Sequence, residues 1–480
     1  MNPSLQSLPG RRATWLLACL VACMLPGCGG VGQDGTGAVP DTQATGVVTG
    51  FGSVIVDGVR FDISGADIAT DGTSGRTQAD LRVGMVVTVS GTLGANGTSG
   101  SATKVVYESL LRGALDSAPD STGFLVLGQR VGIDSTTLFE GVESLADLNS
   151  GDPVQVSGFH EANGFRATWV RLEAGAVARH LTGFITAVNV NPNVVRLLGL
   201  DVNIGGAELV GVSPNSLANG QLVRVVLQAA PSNGTAVATR LVLLSDGLAG
   251  PLRRMLLHSL VRQWDPAAGT FLMNRQAVRI DGSTQFDGGT LTDIGNGARI
   301  GAIGTRGSDG VLVAERVQIY RPAIDGYVRG VVASVDVPAR RFSVAVAPGV
   351  QVQVQARTLL SDRTLAGGGL ALAELAPGNK VLALGWVNGA GIDAGLVQRL
   401  PLITLGSGIG GHAANIVGNT FTIFGTLVTT NNITTQFFDP QGQLQNQAQF
   451  FATLQADHVV RAEGALIGAT LAATSVRRVP

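Results

Sequence analysis

Cysteine is nearly missing from this chain, and the three copies present, Cys19, Cys23 and Cys28, all lie near the N-terminus. Beyond residue 28 no disulfide, CxxC redox pair or thiolate zinc site can form. Lysine occurs only at Lys104 and Lys380. Aromatic residues make up 5% of the chain, too few for the girdles of a transmembrane barrel. No GK[ST] or GxSxG element occurs, and no long stretch has helical amphipathic periodicity. An excess of either sign of charge is missing too. The chain carries 33 Lys plus Arg against 34 Asp plus Glu. Without Arg11 and Arg12 the balance is 31 against 34, near -3. That leaves no basic field for nucleic acid or anionic lipid, so no nucleic-acid partner is expected.

The one long apolar run is near the start. Arg11 and Arg12 precede residues 13–25, which are apolar except for Thr14. The run is shorter than the roughly 20 residues that span a bilayer and has the length of a signal-peptide core. Leu25-Pro26-Gly27-Cys28 follows and resembles the lipobox of bacterial lipoproteins. The resemblance implies cleavage before Cys28 and a diacylglycerol on its thiol. A plain secretory signal or a one-helix anchor is the competing reading, and Arg11-Arg12 raises twin-arginine export, which Thr14 argues against. Gly29 stands where an aspartate would favour inner-membrane retention, so the resemblance points to an outer-membrane lipoprotein facing the periplasm or the cell surface. Residues 28–45 are rich in Gly, Asp, Thr and Ala and read as a lipidated tether.

The rest of the chain repeats one cassette. Its copies are DLRVGMVVTVSG from Asp80, DLNSGDPVQVSG from Asp147, SLANGQLVRVVL from Ser216, DIGNGARIGAIG from Asp293, ELAPGNKVLALG from Glu374 and TLQADHVVRAEG from Thr453. Leu81, Leu148, Leu217, Ile294, Leu375 and Leu454 stand three before a centre occupied by Gly84, Gly151, Gly220, Gly297, Gly378 and Asp457. Three residues after it come Val87, Val154, Val223, Ile300, Val381 and Val460, and two further on another apolar residue. Apolar side chains at spacing two make a strand with one buried face. The centre suits a turn that needs φ > 0, and the aliphatic residue before it plugs an open core end. The recurrent acids Asp80, Asp147, Asp293 and Glu374 suit a cap or turn. Gly91, Gly158, Gly304, Gly385 and Gly464, seven after the centre, mark a bend or bulge where a sheet curls. Between the two apolar positions lie Thr88, Gln155, Arg224, Gly301, Leu382 and Arg461. Asp57-Gly58, between apolar strands, suits a type I′ hairpin.

Unit spacing exceeds the roughly 40–50 residues of a propeller blade and falls short of the roughly 100 of an Ig-like sandwich. The expected fold class is all-β: six tandem small β-barrel (OB-like) domains at 46–108, 110–173, 181–244, 257–320, 327–399 and 404–478, after a signal peptide at 1–27. Each cassette valine or isoleucine is expected inside its own separate barrel. The pattern resembles the repeats grouped as bacterial domain of unknown function 5666, found in tandem in proteobacterial lipoproteins. The resemblance covers nearly all of 46–478 and implies architecture and location, not an activity.

Candidate chemistry is thin. His160, His180, His258, His412 and His458 fall in different repeats without ligand spacing, which favours surface or loop histidines over a metal site. The glycine-rich stretch 406–411 lacks the βαβ context of a dinucleotide loop. The fragment 116–120, with Asp116 and Asp120, lacks the ligand order of a calcium loop. Trp169, Trp264 and Trp386 fit core or connector packing better than a sugar-stacking face. We therefore expect no enzyme, no catalytic residue, no cofactor and no metal, with Cys28 as lipidation site and the membrane reached through its anchor. The function expected is ligand binding or scaffolding in the cell envelope, with an envelope protein, glycan or peptide as partner. An adaptor subunit of an export or surface-assembly machine, and an enzyme with a cryptic site, are the alternatives.

Overall fold

The computed structural model describes residues 42–479 except 96, 176, 190–192, 245–253, 322, 365–367 and 404–405. The expected signal peptide at 1–27, Cys28 and the expected tether up to residue 41 lie outside the described residues. The described residues are all-β, with short 3-10 turns and, among them, one α-helix, Gln447–Thr453. No described helix is long and apolar enough to cross a membrane.

The first repeat shows how the cassette closes a barrel. Strand Thr42–Gly50 pairs antiparallel with Val54–Val56, which turns back into Val59–Asp62. The turn is the expected type I′, with φ of 51° at Asp57 and 80° at Gly58. Val59–Asp62 then runs parallel to Ser99–Tyr107, which pairs with the cassette strand Val86–Leu93, and that strand pairs with Thr42–Gly50. Five strands close a circuit of the OB-like kind. The same circuit closes within Arg179–Leu243, Arg254–Tyr320, Gly326–Leu400 and Ser407–Arg478. In the second repeat a single bridge, Leu115 to Val126, joins its ends.

The cassette behaves as its chemistry requires. All six centres adopt positive φ, from 67° at Asp457 to 95° at Gly84. The six residues from Leu81 to Leu454 that plug the barrel ends are buried. Asp80, Asp147, Asp293 and Glu374 each accept a backbone N–H three residues back, capping a single 3-10 turn. The five late glycines sit at register shifts. A Cβ on Gly91 would lie 1.9 Å from the Ser101 carbonyl oxygen, so only glycine fits without moving the partner strand.

Three expectations are corrected. First, residues 42–45, expected in a tether, belong to the first barrel: Thr42, Gln43 and Ala44 are buried because strand Thr42–Gly50 begins there, clasped between Val86–Leu93 and a parallel partner, Arg254–Asp265. Second, the barrel interiors are not all separate. Continuous sheets join the first repeat to the fourth, the second to the third and the fifth to the sixth. Val154 and Val223 share one apolar cluster and Val381 and Val460 another, whereas Val87 and Ile300 lie in different ones. The opening strands of paired repeats hydrogen-bond to each other, so each barrel lends its neighbour a wall. Small barrels bury little surface alone, and sharing walls offsets that deficit. Third, the histidines are not all at the surface: His180 and His258 are buried on strands, while His412 is exposed. Trp169 is buried against Tyr107 of the first repeat, in line with the packing role expected.

Candidate functional site

The site grows from the Asp57-Gly58 hairpin. Its left-handed tip carries the Asp57 carboxylate out of the first barrel and against the cassette strand of the fourth, Arg299–Arg306. Gly301 faces it there: a Cβ on Gly301 would stand 2.4 Å from Asp57 Oδ2. This is the between-position that holds larger side chains in the other repeats. The Tyr320 hydroxyl donates to Asp57 Oδ1. His258 Nδ1 lies 3.0 Å from the same oxygen, a close electrostatic approach without hydrogen-bond alignment.

On the far side of the imidazole, Arg299 Nε donates to His258 Nε2 at 2.9 Å. A nitrogen that accepts carries no proton, so this bond assigns the neutral tautomer with its proton on Nδ1, toward Asp57. Burial pushes the His258 pKa down, against the pull of Asp57. Burial opposes ionisation of Asp57 too, yet His258, Tyr320 and Arg299 outweigh it and bring its pKa below the usual value. Tyr320 is raised well above its ordinary value by burial and by Asp57, so it stays a phenol. The imidazole stacks on the Tyr320 ring at 4.3 Å and 10°. Arg299 also donates from Nη1 to Thr136 Oγ1 at 3.0 Å and lies 3.6 Å from Asp134 Oδ2, in the second repeat.

Beside this knot is a cavity of about 170 Å³ where the first, second, fourth and fifth repeats meet. Its apolar wall includes Val47, Leu260, Ile324 and Leu359, and Trp386 closes one side. Its cations are Arg166, Arg299, Arg321 and Arg357. Arg166 pairs with Glu161, and Arg357 with Asp287 at 2.7 Å. Arg321 makes no hydrogen bond or close ion pair with any described residue, though its charge adds to the Thr290 N–H in holding the Asp293 carboxyl below its usual pKa.

A second polar knot lies at the other Asp-Gly turn of the first repeat, Asp71-Gly72, with φ of 47° and 76°. Asp71 accepts from Ser109 N and Oγ at 2.8 and 2.7 Å and from Gln155 Nε2 at 2.9 Å. Ser109 Oγ is also 2.7 Å from His180 Nε2. This is not an activated nucleophile. The single hydroxyl proton goes to Asp71, so His180 donates to Ser109, and Ser109 is wholly buried. Arg224 pairs with Glu108 and lies 3.7 Å from Asp71.

Two stretches, residues 112–171 and 260–318, match the family described as a domain of unknown function (DUF5666). The two separate matches are consistent with repetition of that domain along the chain. The matched stretches fall in the second and fourth repeats, and these repeats touch one another through Arg299 and Thr136 and through the 4.9 Å ring contact of Phe159 with His258. No curated protein matches the chain.

Of the residues singled out in the sequence, Cys28 lies outside the described part. Asp116 and Asp120 are engaged in turns, with Leu127, Gly128, Thr122 and Arg130 as partners. The glycine-rich stretch runs into strand Ser407–Val417. Trp386 reaches the cavity, and Trp264 packs on Phe271. Among the described residues no group of three or more His, Cys, Asp or Glu is placed to hold a metal. Sequence reasoning missed the knots. The available signal was the pair of Asp-Gly turns in one repeat, together with Gly301 where the other repeats carry larger residues.

Proposed function

We propose that this protein is a non-catalytic lipoprotein of the cell envelope, anchored through Cys28 in the outer membrane, whose joined barrels bind a ligand and scaffold a partner. One observation carries the reading. The titratable side chains that the fold gathers at the Asp57 knot are spent on each other: Asp57 accepts from Tyr320, His258 accepts from Arg299, and Tyr320 is held as a phenol. Such an array gives a rigid wall rather than a base beside a nucleophile. The cavity next to it supplies a pocket on that wall. The lipobox resemblance supports the location. The membrane is reached through the lipid, and the partner is an envelope protein, a glycan or a peptide.

Pull-down of the full lipidated chain from its native envelope tests this, with a Cys28→Ala variant alongside. We expect one envelope component to be retained and the variant to leave the membrane fraction. Hydrolytic turnover by the purified chain, abolished by one substitution at Asp57 or His258, would overturn the non-catalytic reading.

A further inference from the structure

We infer that the cavity where four repeats meet binds a small organic monocarboxylate with a ring-sized apolar body. The assignment deepens the binding role proposed above and rests on it.

Size sets the body. At about 170 Å³ the space is close to the roughly 150 Å³ of an apolar cavity that takes up benzene. The lining sets the polarity. Val47, Leu260 and Leu359 offer an apolar floor, and Trp386 a flat aromatic side.

Charge sets the head group. The cavity's guanidinium groups are not equivalent. Arg166, Arg299 and Arg357 are each matched by a carboxylate: Glu161, Asp134 and Asp287. Arg321 has no carboxylate within ion-pair distance among the described residues, acting on Asp293 only through space, and is exposed. A guanidinium at the solvent side with no carboxylate bonded to it leaves its hydrogen-bonding fork open to one anion, and a planar guanidinium takes a carboxylate through two parallel hydrogen bonds. Arg299, buttressed by Thr136 and by the rings of Phe159 and Tyr320, keeps the inner wall in place whether or not a ligand is present. The ligand therefore lies with its ring inward and its carboxylate on Arg321. It is held without bond making or breaking.

The test uses the detergent-solubilised full chain and three probes: benzoate, benzyl alcohol with the ring but no charge, and acetate with the charge but no ring. Isothermal titration calorimetry gives affinity, and tryptophan fluorescence reports Trp386. We expect saturable benzoate binding, with both controls weaker by about tenfold or more. Arg321→Gln should weaken benzoate by about tenfold while leaving the melting temperature unchanged. Trp386→Phe should remove the fluorescence response and keep the heat. Absence of saturable heat with benzoate, equal affinity for acetate, or an unaffected Arg321→Gln variant each overturns the assignment. A partner retained in the envelope pull-down together with no benzoate binding removes this inference alone. Benzoate bound but chemically altered removes the non-catalytic reading instead.

Discussion

The first repeat sends out two Asp-Gly hairpin tips, and the surroundings make them different objects. Asp57 is 6% exposed and sits among aromatic rings, facing a neutral histidine, a phenol and the glycine that makes room for it. Asp71 is 21% exposed and sits among polar groups: Ser109, Gln155, His180 and an arginine shared with Glu108. The same left-handed turn chemistry thus builds one dry clasp onto the fourth repeat and one wetter clasp onto the second and third. A charge removed from a dry clasp leaves its partners stranded, whereas a wetter one lets water replace them.

Asparagine at either tip tests that difference, because it tolerates the left-handed turn and removes only the charge. Asp57→Asn should cost about 3 kcal/mol, the scale for breaking a buried charged cluster. Asp71→Asn should cost about 1–2 kcal/mol, since its neutral donors keep an acceptor. Urea unfolding of both variants measures this, and equal losses would erase the contrast.

Titration separates the clasps next. Burial lowers the pKa of His160 and of His180 to about 4, and lowers that of His258 as well. A base whose folded pKa is depressed binds fewer protons in the folded state. Its contribution is therefore present above the unfolded value near 6.5 and is lost as pH falls toward 4. His160 and His180 each contribute up to about 3 kcal/mol by this route. Glu108 runs the other way. Burial raises its pKa to about 7 against the pull of Arg224, so its contribution is present below pH 4.5 and lost as pH rises toward 7. Midpoints of urea unfolding between pH 4.5 and 7 should thus fall on acidification by less than the histidines alone imply. Glu108→Gln should steepen that fall. An unchanged slope would remove Glu108 from the wetter clasp's balance.

What the sequence disclosed, and what it hid, follows from which face of a strand a pattern reports. Spacing two marks the inward residues, so Val87, Val154, Val223, Ile300, Val381 and Val460 could be placed inside, and the centres from Gly84 to Asp457 in left-handed turns. The residues between them read as solvent-facing. In the structure they form much of the joint between repeats: Gln155 and Arg224 reach Asp71, Gly301 admits Asp57, and Arg461 lies 3.6 Å over the Tyr327 ring. Periodicity cannot separate a polar residue facing water from one facing another barrel. It also carries no information on pairing order, which is why the first-to-fourth sheet and the cavity beside it were not legible. The histidines were misplaced for the same reason. On an outward face, burial comes from a neighbour that is distant in the chain.

Gly301 gives a test confined to the dry clasp. Alanine there puts a methyl 2.4 Å from Asp57 Oδ2, and overpacking of this kind costs about 1–3 kcal/mol. In an Asp57→Ala background the oxygen is gone, so Gly301→Ala should cost clearly less. A double-mutant cycle measures the coupling, and strict additivity would mean the hairpin does not press on Gly301.

The smallest effect belongs to the wetter clasp. Gln155 donates to Asp71 of the first repeat at 2.9 Å and accepts from Arg171 of its own repeat at 2.8 Å, so one of its two hydrogen bonds joins the first two repeats. Gln155→Met keeps the length of the side chain and removes both. Arg171 retains Glu173 as a partner at 2.9 Å, and Asp71 retains Ser109, so no charge is left alone. The expected loss is about 1 kcal/mol, the net worth of ordinary hydrogen bonds once water competes for the freed groups. A loss as large as that of Asp57→Asn would mean that Asp71 is as sealed from water as Asp57, and that the two tips are one kind of joint after all.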